Sequence, residues 1–414
     1  MIKVKLGFKG GCKEVGRSAI FVNDEILVDY GIKPGEEPLY PVDQVTPKAI
    51  IVSHGHLDHC GAVVNLMDMK PEVFMTPPTA DLAHVLAKDT LSIAEREGRA
   101  IPYTGWELQQ LTMNTQKVDT GIEFHTHGYT AQFYNAGHIP GSAAVYLEKD
   151  GKSIVYTGDI NTRETRLVPI ADELPKADAL IIESTYFNED HPSRKETERE
   201  LIDSLKDTLD IGGNVLIPAF AIGRTQEILM LLSEHGIPCY VDGMGVSIYK
   251  LLMSHPDYLK NPTHLKHAFD NATIVKGRKR ASVSLNGSVI VTTAGMLNGG
   301  PVLYYIDKLY KDPKSKIMLT GYQVEGTNGR MMLDTGIIEN DGIIQQVRMK
   351  VEKYDFSAHC GDSELKQLVK EFCDKGGDKV FAMHGENAEE FATWVKEEIG
   401  VEGYAPANGE EFTI

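Results

Sequence analysis

Cysteine is scarce: Cys12, Cys60, Cys239, Cys360 and Cys373 are the only five in 414 residues, and none forms a C-x-x-C pair. An odd, scattered set excludes a disulfide framework and a thiolate zinc site, and predicts reduced, mostly buried thiols. No apolar run approaches the ~18 residues that a membrane helix needs. The opening stretch MIKVKLGFKGGCKEVGRS has no apolar block ahead of a small-residue cleavage site, so it does not read as a signal peptide. A soluble, cytoplasmic chain with no membrane partner is expected. Positive charge is also in deficit, 42 Lys+Arg against 59 Asp+Glu, for a net charge of −17. Such a chain attracts nucleic acid only weakly overall, though a local positive channel is still allowed. Internal repeats and low-complexity segments are absent.

What is present is a large globular composition, 42% hydrophobic and 24% charged, with room for two or three domains. Residues 1–190 are β-rich, with short runs such as IKVKLGF, SAIFV, EILVD, AIIVS, AQFYNA, AAVYLEK, SIVYTGD and ADALIIES. A helix is expected around residues 79 to 97. Over residues 191–348 the pattern changes to alternating helices and strands. An amphipathic helix begins near Ser193, with Leu201, Ile202, Leu205 and Leu209 on one face, and VLIP, CYVDG, VIVTTAG and KIMLTG follow as strands. That alternation predicts a small parallel α/β unit inserted into the first domain. Residues 349–414 return to the first domain through SELKQLVKEFCD, KVFAMHG and a last helix.

The strongest chemical signal is Ser53-His54-Gly55-His56-Leu57-Asp58-His59, directly after the strand AIIVS. In extended backbone His54 and His56 point the same way, because side chains alternate with period two. Asp58 and His59 then fall on the turn into a helix, where they can face a second ion. Imidazole-rich N/O ligands suit divalent zinc. Three further candidates end probable strands: His138 after QFYNAG, Asp159 after IVYTG, and His384 after KVFAM. A strand end gives a ligand rigid support and access to a cleft. Asp159 is suited to bridge two ions, since a carboxylate has two oxygens. Asp29, ending EILVD, reads equally as a carboxylate orienting a ligand histidine or as a loop aspartate.

The pattern HxHxDH followed by His138, Asp159 and His384 resembles the metallo-β-lactamase superfamily. The inserted α/β unit, with Glu183 in IIESTY before it and His359 in DFSAHCG after it, resembles the β-CASP branch of nucleases. ESTY, PAFAIGRTQE, TTAGMLNGGP, LTGYQVEGTNGR and FSAHCG together look like archaeal relatives of the endonuclease subunit of the eukaryotic cleavage and polyadenylation factor. The resemblance covers nearly the whole chain. It implies an αββα sandwich with an inserted parallel α/β β-CASP domain, and two zinc ions (Zn2+) per chain. His54, His56 and His138 would hold one ion, Asp58, His59 and His384 the other, with Asp159 shared. Members with histidine in the last ligand slot act on RNA, whereas DNA-directed members carry valine; here the slot holds His384. The implied activity is hydrolysis of RNA to 3′-hydroxyl and 5′-phosphate ends, with His359, polarised by Glu183, protonating the leaving oxygen.

Single-stranded RNA is the expected partner, alongside a homodimer or an RNA-processing complex. Lys276, Arg278, Lys279 and Arg280 in KGRKRAS read equally as a solvated basic loop or an RNA contact. Arg224, Arg330 and the glycine-rich stretches TTAGMLNGGP and GYQVEGTNGR are further candidates for the RNA backbone, although turn glycines are more often only turns. The chain begins almost at its first strand and ends soon after its last helix. It is therefore expected to lack the KH-type extension of some archaeal relatives and the C-terminal domain of RNase J. Gly361, two residues after His359, stands where RNase J typically has serine, which weakens a carry-over of 5′-phosphate sensing. Endonuclease and 5′→3′ exonuclease activity both stay open. The rival readings are a catalytically silent scaffold subunit, a DNA nuclease and a small-molecule hydrolase.

Overall fold

Short apolar runs that are buried on both faces dictate the architecture of the first half. In the computed structural model, which describes residues 3–35, 37–100, 102–340 and 342–414, every residue of strands Ala19–Val22, Ile26–Val28 and Ala49–Ile51 is buried. Strands covered on both sides read as continuous rather than alternating hydrophobic segments. They form the middle of a seven-stranded sheet in the order Glu411–Thr413, Lys5–Gly10, Ala19–Val22, Ile26–Val28, Ala49–Ile51, Glu72–Met75, Thr115–Lys117. A second seven-stranded sheet runs Glu402–Tyr404, Lys379–Met383, Ala179–Glu183, Lys152–Tyr156, Ala143–Lys149, Tyr129–Asn135, Glu123–Thr126.

The two sheets face each other over one apolar layer. Leu6, Phe8, Ile20, Val28 and Ile51 from the first meet Phe133, Val145, Ile154, Ile181 and Phe381 from the second. The outer face of the first sheet packs under helices Pro77–Glu97 and Gly105–Asn114, through Ile50, Val73, Ala83, Ala87 and Leu111. The outer face of the second packs under Asp362–Asp374 and Ala388–Trp394, through Val155, Leu180, Leu365, Val369, Phe372 and Phe391. The order of layers is helix, sheet, sheet, helix. Gly105–Asn114 was not foreseen, yet its start carries a T-x-x-E capping box: Thr104 and Glu107 satisfy each other's backbone amides.

The second unit is a six-stranded, wholly parallel sheet. Its order is Thr273–Val275, Tyr240–Asp242, Val289–Thr292, Val215–Pro218, Lys316–Leu319, Lys350–Lys353. Helices connect these strands, as parallel pairing requires. Arg194–Asp210 buries Leu201, Ile202 and Leu205 at the expected spacing. Two compact units result: Met1–Glu164, Pro169–Asp190 and Ala358–Ile414 form one, and Thr165–Val168 with His191–Ser357 form the other. The expected return to the first domain at residue 349 therefore falls later. Lys350–Lys353 adds to the edge of the parallel sheet by backbone bonds alone, with none of its side chains buried, so no apolar signature marks it. No helix among the described residues is long and apolar enough to cross a membrane.

Candidate metal centre

The first unit gathers its polar residues at strand ends. Strands Tyr129–Asn135 and Lys152–Tyr156 both run antiparallel to Ala143–Lys149, so they are parallel to each other, and Ala179–Glu183 and Lys379–Met383 run parallel to Lys152–Tyr156. His138, Asp159, Glu183 and His384 thus emerge along a single sheet edge. Asp29 and His54 leave the parallel pair Ile26–Val28 and Ala49–Ile51 of the other sheet. The bend at two of these ends is sharp. Asp29 and His384 sit at φ of +56° and +52°, a left-handed conformation that non-glycine residues adopt at a cost of ~1–3 kcal/mol and keep at functional sites. Gly31 allows the histidine loop to close, since a Cβ there would lie 1.8 Å from the Asp58 carbonyl oxygen.

Ligand atoms of His54, His56, His138 and Asp159 all lie within 4.8 Å of one another, as do those of Asp58, His59 and His384. Hydrogen bonds fix which imidazole nitrogen faces inward. His138 Nδ1 donates to the Ala358 carbonyl at 2.7 Å, and His59 Nδ1 donates to Asp29 Oδ2 at 2.7 Å. Ser53 Oγ donates to Asp29, so it accepts from His54 Nδ1 at 3.1 Å. Thr185 Oγ1 donates to the His384 carbonyl and accepts from His384 Nδ1 at 3.3 Å. In His54, His59 and His138 the bonded Nδ1 points away from the cluster and Nε2 faces inward, while His384 turns Nε2 toward Asp58 at 3.4 Å and has Nδ1 3.5 Å from Asp159 Oδ1.

These nitrogens are then pressed together. His54 Nε2 and His138 Nε2 stand 3.2 and 3.1 Å from His56 Nδ1, and His59 Nε2 stands 3.2 Å from His384 Nε2. Asp159 lies between the groups, with Oδ2 3.4 Å from His54 and Oδ1 3.2 Å from His59. Its Oδ1 is buried without a hydrogen bond. Imidazole nitrogens facing each other this closely repel unless a proton or a cation lies between them, and a buried polar atom without a partner costs ~1–3 kcal/mol. A cation removes both penalties, so this donor set fits metal.

The electrostatics agree. Burial is the largest influence on His54, His56 and His138 and holds all three below the usual imidazole value, His56 at about 3. Burial opposes a proton on His59 as well, but Asp159, Asp58 and Asp29 outweigh it and hold that ring well above its ordinary value. The carboxylates thus draw positive charge into the cluster, while burial keeps His54, His56 and His138 neutral.

Beside the cluster, His359 Nδ1 donates to both oxygens of Glu183, at 2.8 and 3.0 Å, while its Nε2 faces Asp159 Oδ2 at 3.8 Å. Burial works against its proton, yet Glu183 and Asp159 prevail and raise its pKa to about 9. Glu183 is itself held by the Ile160 amide at 2.8 Å. All nine residues expected at the site therefore meet in one place, with Asp29 behind His59. Sequence reasoning missed Tyr156 and Ser53, which donate to Asp29 at 3.0 and 2.7 Å; nothing but their adjacency to strand ends marks them. Cys60 and Cys360 are buried packing residues whose thiols burial pushes up, Cys360 to about 12.

The six basic residues proposed for RNA, Arg224, Lys276, Arg278, Lys279, Arg280 and Arg330, all lie in the second unit. Arg224 opens helix Arg224–Glu234. Arg330 is exposed and pairs with Asp334 at 2.8 Å. Lys276 and Arg278 are exposed, whereas Arg280 is bound to the buried Asp242 at 2.6 Å and so has a structural duty.

Known proteins bear on this site. Residues 25–217 match the Beta-lactamase superfamily domain, 225–332 the Beta-Casp domain, and 344–406 the Zn-dependent metallo-hydrolase RNA specificity domain. The chain is 37% identical to the Probable RNase MJ4 of Methanocaldococcus jannaschii, over 98% of this chain and 99% of that one. It is 36% identical to RNase aCSPSF2 of Saccharolobus solfataricus, over 98% and 84%. To the transcription termination factor FttA of M. jannaschii it is 33% identical, over 98% and 71%. A crystal structure of a protein of unknown function from Enterococcus faecalis V583 shares the fold, with a TM-score of 0.61, 11% identity and full coverage of both chains. The chain belongs to the β-CASP family of metallo-β-lactamase-fold, metal-dependent ribonucleases.

Proposed function

We propose that this chain hydrolyses single-stranded RNA with two zinc ions, in RNA processing or decay, leaving 3′-hydroxyl and 5′-phosphate ends. The observation that carries the reading is the convergence of inward-facing imidazole nitrogens on Asp159 in the first unit. In this assignment His54, His56 and His138 would hold one ion and Asp58, His59 and His384 the other, with the Asp159 carboxylate available to both. Zinc held there would supply Lewis-acid charge and would make a nearby water more acidic.

The protein's own groups do the rest. Asp29 fixes the His59 tautomer and ring orientation, and Ala358 does the same for His138. Glu183 orients His359 through Nδ1 and stabilises its protonated form, which leaves Nε2–H directed at the cluster. From there His359 protonates the departing 3′-oxygen, a contribution of ~10²–10⁴ in rate. Because water is the nucleophile, the RNA 2′-hydroxyl is not required as an attacking group.

His359→Ala tests the assignment. It should retain the parental zinc content and lose about 10²–10⁴ of kcat on an unstructured RNA. Cleavage at the parental rate would remove His359 from the mechanism. The same RNA carrying a 5′-hydroxyl, monophosphate or triphosphate separates the modes: internal fragments mark an endonuclease, and mononucleotide release favouring the monophosphate marks a 5′→3′ exonuclease.

A further inference from the structure

The chain averages about one acidic residue in seven, yet residues 271–306 contain no aspartate or glutamate. Within that span lie Lys276, Arg278, Lys279 and Arg280. The first three are exposed, and none makes a side-chain ion pair among the described residues. Nothing nearby in sequence cancels their field, so this segment is a positive island on a chain of net charge −17.

Arg280 gives the island a defined geometry. Its Nε and Nη2 donate to Asp242 at 2.6 and 3.1 Å, and Asp242 ends the strand Tyr240–Asp242. Pinned there, the guanidinium stands 5.8 Å from the ring centroid of Tyr304, on helix Pro301–Leu309. Lys308 Nζ lies 5.6 Å from the same ring and 3.1 Å from Asp307. Tyr305 packs edge-on against Tyr304 at 5.4 Å and donates to Asp242 at 2.8 Å, so the platform is braced from below. Asp242, Thr292 and Val275 end neighbouring parallel strands, and the carboxyl edge of such a sheet is where ligands settle. A half-exposed aromatic ring with two cations close to it, beside a run of unpaired cations, is the combination that holds a single strand: charge for phosphates, a ring face for a base. Duplex bases are already stacked and cannot use such a face.

We propose that Lys276, Arg278, Lys279 and the Tyr304 platform form a docking stripe for single-stranded RNA on the second unit, with Tyr304 stacking a nucleobase. The proposal rests on the RNA substrate assigned above, and it adds the residues that grip the strand apart from the reacting phosphate.

Binding is measured by fluorescence anisotropy in the slowed His359→Ala background, over times short against its residual cleavage. The probe is an unstructured RNA of about 20 nucleotides, longer than the ~4–16 a single-strand groove engages. The triple variant Lys276→Ala/Arg278→Ala/Lys279→Ala should weaken binding about tenfold or more. It should also reduce the log–log salt slope by ~0.7 for each phosphate that is no longer neutralised. Tyr304→Ala should weaken binding about tenfold, and Tyr304→Phe, which keeps the ring, should not. In the parental background these variants should raise KM for RNA and leave hydrolysis of bis(4-nitrophenyl) phosphate unchanged, because that small diester reaches the metal centre without the stripe. Unchanged RNA affinity and salt slope would overturn the proposal. So would indifference to Tyr304→Ala together with full competition by an acidic polypeptide, which would make the patch a protein-binding surface. If the parent bound RNA with this variant pattern but hydrolysed neither RNA nor the small diester, the stripe would stand and the nuclease assignment would fall.

Discussion

Asp159 and Asp242 are both 2% exposed, and each follows or ends a strand of a buried sheet, one in each unit. Asp242 is satisfied: Arg280 and Tyr305 give its carboxylate three hydrogen bonds. Asp159 is surrounded by imidazoles, and its Oδ1 accepts no hydrogen bond. Burial and charge are the same in the two cases, so neither distinguishes a working aspartate from a structural one. The difference lies in what completes the site. Protein donors complete Asp242, whereas a cation from outside is needed to complete Asp159.

Substitutions can break that contrast. Asp159→Ala should lose zinc and with it essentially all RNA cleavage, while circular dichroism and Tm show a folded chain, because the substitution relieves an unsatisfied buried charge. Asp29→Asn comes next. It loosens the hydrogen bond that holds the His59 tautomer, and zinc affinity should fall about 10–100-fold in competition with a chelator. Asp242→Asn should behave in the opposite sense. It leaves Arg280 without its charge partner and should cost about 1–3 kcal/mol in urea unfolding, with zinc content unchanged.

Glu25 gives the smallest effect and shows a carboxylate of a third kind, at the surface. Lys149 and Lys48 each approach it at 2.6 Å and lower its pKa to about 2. A depressed folded value means the contribution is complete above the unfolded pKa near ~4.3 and is lost as pH falls toward 2. Glu25→Gln should therefore flatten the acid limb of the stability curve in that window. At neutral pH it should change stability by less than about 1 kcal/mol, and added salt should shrink the difference.

The metal site was legible in the sequence because its ligands sit in strand-to-loop transitions, where an apolar run stops abruptly at a histidine or aspartate. The HxHxDH loop needs no tertiary information, and His138, Asp159 and His384 share the same local grammar. What stayed hidden depends on pairing between distant segments. Strand Glu411–Thr413 pairs with Lys5–Gly10 from the other end of the chain, and with only Phe412 turned to the core it is too short to show a period. Hairpin Ile337–Asn340/Ile343–Gln346 leaves Ile343 and Ile344 exposed, against the hydrophobic rule. The KGRKR segment looked uniform in sequence, yet the fold divides it, giving Arg280 to Asp242 and leaving Lys276, Arg278 and Lys279 in solvent.

The central claim is that the unmet acceptors around Asp159 exist to hold metal. Elemental analysis of the full chain after equilibration with zinc and removal of excess tests it directly. The account predicts about two zinc ions per chain in the parent and loss of bound zinc in Asp159→Ala. A folded parent that retains less than one ion per chain would contradict it.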